Sequence, residues 1–161
     1  EAGVCGWTDP DNRRTYPWGS EDRELIAFHK AVIAMHKSQE ELKTGSYKPL
    51  VGEYNLIAYG RFNQKDAVVV IVNNSEDERR VRVPVWELGI TDKDEMEQIF
   101  VTFDGGFGEE QLWDKVNGGW LDIGLRKTSA VVLKRVKWEK TKVRKAGDRK
   151  WKTKEKIQKD Q

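Results

Sequence analysis

One cysteine, two histidines, two methionines and four prolines are all that this 161-residue chain holds of those residue types. The lone Cys5 excludes an intrachain disulfide framework and leaves the redox compartment undecided; a packed thiol is expected there rather than a nucleophile. The longest apolar run, Ala67–Val72, is far short of the ~20 residues a spanning helix needs, so no membrane partner is expected. His29 and His36 lie seven apart, two helical turns rather than the one that lets an i, i+4 pair grip a metal. Asp9-x-Asp11 opens like a calcium loop, but Arg14 stands where that loop needs glycine. Gly105-Gly106-x-Gly108 lacks the Gly-Lys-Ser/Thr of a phosphate loop. No metal and no other cofactor is expected.

What the chain has in quantity is charge, 29 Lys and Arg against 27 Asp and Glu, with a mean hydropathy of −0.77. The distribution is uneven. From Lys137 to Gln161 eleven basic residues face four acidic ones, a net of +7, so the rest of the chain carries −5. Trp138 and Trp151 in that stretch suggest stacking platforms for a nucleic acid. The scattered charge and the acidic body argue against nucleic acid and for a solvated, disordered tail over 137–161.

Residues 1–19 read as an irregular loop with turn chemistry at Asp9-Pro10-Asp11-Asn12. Ser20 is the expected N-cap of a helix whose apolar stripe is Leu25, Phe28, Val32 and Met35, ending near Lys37. Such a stripe needs a sheet to cover. After Gly45 the period changes, and strands are expected at 46–51, 55–62, 67–73, 80–85, 98–103, 120–123 and 129–136. The run 67–73 is continuous enough to be central, and Arg80–Val85 alternates as a half-solvated strand does. Six or seven short strands with Gly-rich turns at 104–108 and 117–119 point to an antiparallel sandwich. Trp86, Trp113 and Trp120 are expected in its packing.

The run Asp9-Pro10-Asp11-Asn12-Arg13-Arg14-Thr15-Tyr16-Pro17-Trp18, with Glu1-Ala2-Gly3 before it, resembles the segment after the last barrel strand of α-amylase-type glycoside hydrolases. The nearest branch is that of neopullulanases, cyclomaltodextrinases and α-glycosidases. Leu42-x-x-Gly45-Ser46 resembles the junction where the barrel's last helix hands over to a sandwich called domain C. Val83-Pro84-Val85-Trp86 and Thr128-Ser129-Ala130-Val131-Val132-Leu133 resemble strands of that domain. The resemblance implies a mainly β C-terminal piece of a longer enzyme: the end of a (β/α)8 barrel over 1–45, an antiparallel β-sandwich over 46–136, then the basic tail.

The family's chemistry is retaining cleavage or transfer at α-glucosidic bonds, by a carboxylate nucleophile and a carboxylic acid. The resemblance places those carboxylates upstream of Glu1, so no catalytic residue is expected within this chain. The implied partner is an α-glucan oligosaccharide. Asp9 and Arg13 match family residues that hydrogen-bond glucose hydroxyls. A carboxylate accepts from vicinal hydroxyls while a guanidinium donates as a fork. The plainer alternative is an Asx turn at Asp9, with Arg13 paired to Asp11 or another surface acid. Trp7 is a candidate for stacking on a sugar face, or for packing on the scaffold, whereas Tyr16 and Trp18 are expected to anchor the loop to the helix. The rival reading is a free-standing carbohydrate-binding or structural sandwich. Such a module has no need of half a barrel turn and a helix without its sheet.

Overall fold

The computed structural model describes residues 1–108 and 112–137. The expected disordered tail therefore lies outside the described residues, except that Lys137 closes the last strand. Two helices, α1 (Arg23–Ser38) and α2 (Glu40–Thr44), precede the strands. These are β1 (Ser46–Glu53), β2 (Leu56–Phe62), β3 (Ala67–Asn73), β4 (Arg79–Val83), β5 (Asp94–Phe103), β6 (Gly106–Gly108), β7 (Trp113–Asn117), β8 (Trp120–Leu125) and β9 (Ser129–Lys137). All pairings are antiparallel, in the order β1-β2-β3-β9-β5-β7-β8-β4, with β6 on β5. The sheet folds over on itself until its two edges meet. Arg79 of β4 reaches Glu53 of β1 at 2.7 Å, and Lys48 reaches Glu87 at 2.8 Å.

Alternation builds the interior. Leu56, Ala58, Val69 and Ile71 face Val81, Val83, Leu121, Ile123 and Leu125 across the fold, and the expected solvated side of β4 is exposed at Arg80 and Arg82. Gly60 sits where a Cβ would lie 2.5 Å from both methyls of Leu88, so its bareness lets the 3₁₀ turn Val85–Leu88 seat on β2. A buried Asn73 closes one end of the sheet. Its amide donates to the carbonyls of Asp77 and Arg126, and its oxygen accepts from Ser75.

A bulge in β5 changes which face its side chains meet. The pairing with β9 shifts between Gln98 and Phe100, so Met96 points into the interior while Phe100 points to the outer face. There Phe100 joins Val68, Val132 and Leu42 beneath Phe28, Ala31, Val32 and Met35 of α1. This corrects the expectation that the helix is without its sheet. The outer face of this domain's own sheet covers it.

Other expectations also need correction. Asp22, not Ser20, caps α1, its carboxylate accepting the Leu25 N–H at 2.9 Å. Strand β5 starts at Asp94, because the polar alternation Asp-Glu-Met-Glu hides it. The 104–108 turn contains β6, and β7 was not anticipated. Trp86 and Trp113 lie outside the core, with 56% and 37% exposure, and Trp120 is half-buried beneath the Arg82 guanidinium. Cys5 is exposed rather than packed.

Candidate functional site

The N-terminal loop is built on the start of α1. The Asp22 N–H donates to the Ala2 carbonyl at 3.1 Å, and a Cβ on Gly3 would lie 2.6 Å from that of Asp22. Residues 1–3 thus lie against the helix cap. From there the chain makes a tight excursion and returns. A Cβ on Gly6 would meet the Asn12 Cα at 2.4 Å, so only glycine lets the two limbs of the loop touch. The Asn12 N–H donates to the Thr8 carbonyl and that of Arg13 to the Pro10 carbonyl, closing the turn that Asp9-Pro10-Asp11-Asn12 predicts.

Two ion pairs stand on this turn. Arg13 clasps Asp9 side-on, Nε to Oδ1 at 2.6 Å and Nη2 to Oδ2 at 2.9 Å. Arg14 clasps Asp11, with Nη2 and Nε at 2.6 and 3.0 Å from Oδ1, while Asp11 Oδ2 accepts the Trp7 N–H at 3.0 Å. The Arg14 bond, then the Trp7 N–H, hold the Asp11 carboxyl below the usual carboxylate range. Both pairs are solvent-exposed, and such pairs add little to stability. Their effect is to orient side chains. Asp9 and Arg13 pair with each other on the surface, which fits the plainer alternative of a surface acid as partner for Arg13; that acid is not Asp11, because Arg14 takes its carboxylate. Arg14 and Gly6 are the members of the loop that sequence reasoning missed. The Asp11/Arg14 spacing is a usable signal, whereas nothing local marks Gly6.

Trp7 is held through its backbone alone, its ring 88% exposed. Within this chain it does not pack on the scaffold. The rings of Tyr16 and Trp18 meet at 4.5 Å with their planes inclined at 54°, and Trp18 is 84% exposed, which corrects the expectation that Trp18 anchors the loop to the helix. Glu1, Ala2, Val4, Arg14, Thr15, Tyr16 and Ile26 line a shallow groove beside the pairs. Among the described residues no cluster of His, Cys, Asp or Glu has the arrangement of a metal site. His29 is occupied by the Leu25 carbonyl at 2.8 Å.

Gly6→Ala should push the limbs of the loop apart and break the Trp7–Asp11 bond. The measurement is tryptic cleavage after Arg13 and Arg14, expected to accelerate several-fold while the global melting temperature stays within about 2 °C. Unchanged cleavage would mean that the loop closes without that contact.

No protein-family profile matches the chain. Among curated proteins it is 31% identical over 147 residues to an amylopullulanase of Thermoanaerobacterium saccharolyticum, an alignment covering 83% of the chain and 11% of that protein. A cyclomaltodextrinase of a Bacillus species is 35% identical over 80 residues, which is 47% of the chain and 14% of the relative. The chain thus spans about a tenth of the length of these relatives. Among solved structures, the α-amylase of Geobacillus thermoleovorans complexed with acarbose superposes with a TM-score of 0.69 at 21% identity, over 86% of this chain and 28% of that one. A cyclomaltodextrinase superposes with a TM-score of 0.63 at 22% identity, over 84% and 22%. The fold is that of a C-terminal β-sandwich domain of α-amylase-family enzymes, and the chain is homologous to a small part of amylopullulanases and cyclomaltodextrinases.

Proposed function

We propose that this chain is the C-terminal part of an α-glucan hydrolase, with residues 1–45 completing the catalytic barrel and 46–137 forming domain C. Homology over most of the chain to glucan-degrading enzymes carries the reading. In it the N-terminal loop supports the active site without performing the chemistry. Asp11 does not suit the acid role. Its carboxyl is held below the usual range by Arg14 and the Trp7 N–H, and a general acid has to hold a proton at working pH. The nucleophile and acid of a retaining mechanism then come from barrel strands outside residues 1–161.

The loop's own contribution is to hold a glucose ring. Arg13 spends two of its five N–H bonds on Asp9, and Asp9 spends two of its roughly four lone-pair sites on Arg13. What remains is an acceptor and a donor side by side, each fixed by the other, matching adjacent pyranose hydroxyls. Trp7 offers a bare ring for the apolar C–H face of the same or a neighbouring sugar. Fixing these groups in advance reduces the entropy lost when a sugar binds.

Arg13→Ala in the full-length enzyme tests this role. It should lower kcat/KM on maltodextrins by roughly 1–3 kcal/mol, the scale of a charged hydrogen-bond donor, with short substrates most affected. Unchanged kinetics on every substrate would make Arg13 a surface residue and withdraw the role. One observation favours the second reading, a free-standing carbohydrate-binding module. Helix α1 has its sheet within this chain, so the segment has a complete core of its own. The coding sequence upstream of Glu1 separates the two, since only the enzyme has barrel strands bearing carboxylates there.

A further inference from the structure

Away from the N-terminal loop, the solvent side of the β1–β2 hairpin carries side chains that neither the core nor the loop uses. Tyr47 and Tyr59 lie there with ring centroids 5.4 Å apart and planes inclined at 39°. The register sets them side by side. Tyr47 stands opposite Arg61, and Pro49 opposite Tyr59, so all four share one face. Tyr47 is 63% exposed, while Tyr59 is half-buried next to Val70 of β3. Burial, then the neighbouring Tyr47, pushes the Tyr59 phenol above its ordinary pKa, and that ring stays neutral. Ile57, 49% exposed, extends the apolar surface along β2.

Arg61 supplies the polar edge. Its Nε and Nη2 donate to the Gly45 carbonyl at 3.2 and 2.8 Å, which fixes the plane of the guanidinium. Two of its five N–H bonds are used there, and the other three can donate beside the rings. Exposed tyrosines with two torsions each lose little entropy when a flat ligand lands on them. An immobilised donor next to them gives such a ligand a preferred orientation.

We propose that Tyr47, Tyr59 and Arg61 form a second, non-catalytic platform for an α-linked glucan, separate from the N-terminal loop. The choice of ligand rests on the α-glucan reading above. The apolar C–H faces of two consecutive glucose units stack on the two rings, and Arg61 donates to a hydroxyl at the edge. The inclination of the rings selects the linkage. Consecutive units of an α-1,4 chain turn relative to one another, as these rings do, whereas a ribbon-like β-1,4 chain calls for coplanar rings.

The test uses the 161-residue chain in native gels containing soluble starch, with titration calorimetry against maltoheptaose and cellohexaose. Starch should retard the chain. Tyr47→Ala should weaken maltoheptaose binding about ten-fold, the scale of one stacked ring, with the melting temperature unchanged, and Tyr47→Phe should restore it. Absence of any glucan binding overturns the platform, while the hydrolase reading is still judged by kinetics of the full-length enzyme. If Tyr47→Ala binds normally and Trp7→Ala does not, the loop is the sugar site and the platform is overturned. Equal Tyr47-dependent binding of cellohexaose overturns the α-linked assignment and leaves a generic sugar surface. A chain that sediments as a dimer, and as a monomer once Tyr47 is replaced, overturns the proposal in favour of self-association.

Discussion

Asp94→Asn should destabilise the domain by about 3 kcal/mol at neutral pH, the lower end for breaking a buried ion pair, because Arg135 keeps some access to water. The Asp94 side chain is only 5% exposed at the start of β5. Its Oδ2 accepts from the Arg135 guanidinium at 3.0 Å and from the N–H and hydroxyl of Thr91 at 2.8 and 3.1 Å. Burial by itself pushes the carboxyl's pKa up, but the bonds from Arg135 and Thr91 outweigh it and hold the pKa below the ordinary value. A carboxyl whose folded pKa is depressed contributes its full stability above the unfolded value, about pH 4 for aspartate, and loses it as pH falls through the folded value. Urea unfolding of wild type and Asp94→Asn should therefore differ most at neutral pH and converge in acid. A gap independent of pH would mean that the loss reflects altered packing rather than charge.

The strands were legible wherever apolar residues alternate or run together. Ala67–Asn73 is central, as expected, and the alternation expected over Arg80–Val85 holds as far as Val83, before Val85 enters a 3₁₀ turn, because one buried face forces one pattern. Strand β5 shows the limit of that rule. Its first half buries Asp94 in an ion pair, and its bulge sends Phe100 to the opposite face from Met96, so no single period describes it. Strand β7 was hidden for a related reason. Its Asp114 accepts from buried Gln98 at 2.8 Å, and only Val116 of its five residues enters the core. Exposed Trp86 shows that an aromatic beside a strand need not be core. Gly119 leaves room for its Cβ, and the ring extends into solvent.

In the candidate site, turn chemistry located the loop, the resemblance singled out Asp9 and Arg13, and the chemistry of an aromatic ring singled out Trp7. Their coupling was not legible. Which of two adjacent arginines takes which aspartate depends on how the backbone turns, and that depends on a close approach at Gly6 which leaves no pattern in the sequence. The tyrosine platform was equally hidden. Tyr47 and Tyr59 are twelve residues apart and meet only through the β1–β2 register.

Phe100→Ala should cost about 3 kcal/mol and act on the helix more than on the sheet. Phe100 is 5% exposed on the outer face, where its ring stacks on Phe107 at 6.0 Å and tilts against Phe28 of α1 at 6.3 Å. Phe28 also meets the edge of Phe107 at 5.4 Å, so three rings join helix and sheet. Removing the buried one leaves a hole beneath α1. A Phe→Ala change costs about 3–5 kcal/mol in a core, and the lower end applies here because the half-buried helix can settle into part of the space. The interior between the two layers is untouched, so amide exchange should accelerate across α1 at a free energy below that of global unfolding, while β2 and β3 exchange only with the whole domain. The loosening should also reach the loop. The Ala2 carbonyl is held by the Asp22 N–H, and Gly3 lies against the Asp22 side chain. On the reading proposed above, the same substitution in the full-length protein should then weaken glucan binding without touching a sugar. A loss below about 1 kcal/mol with unchanged exchange in α1 would show that the three rings do not hold the helix, and the expectation of a different cover for its stripe would return.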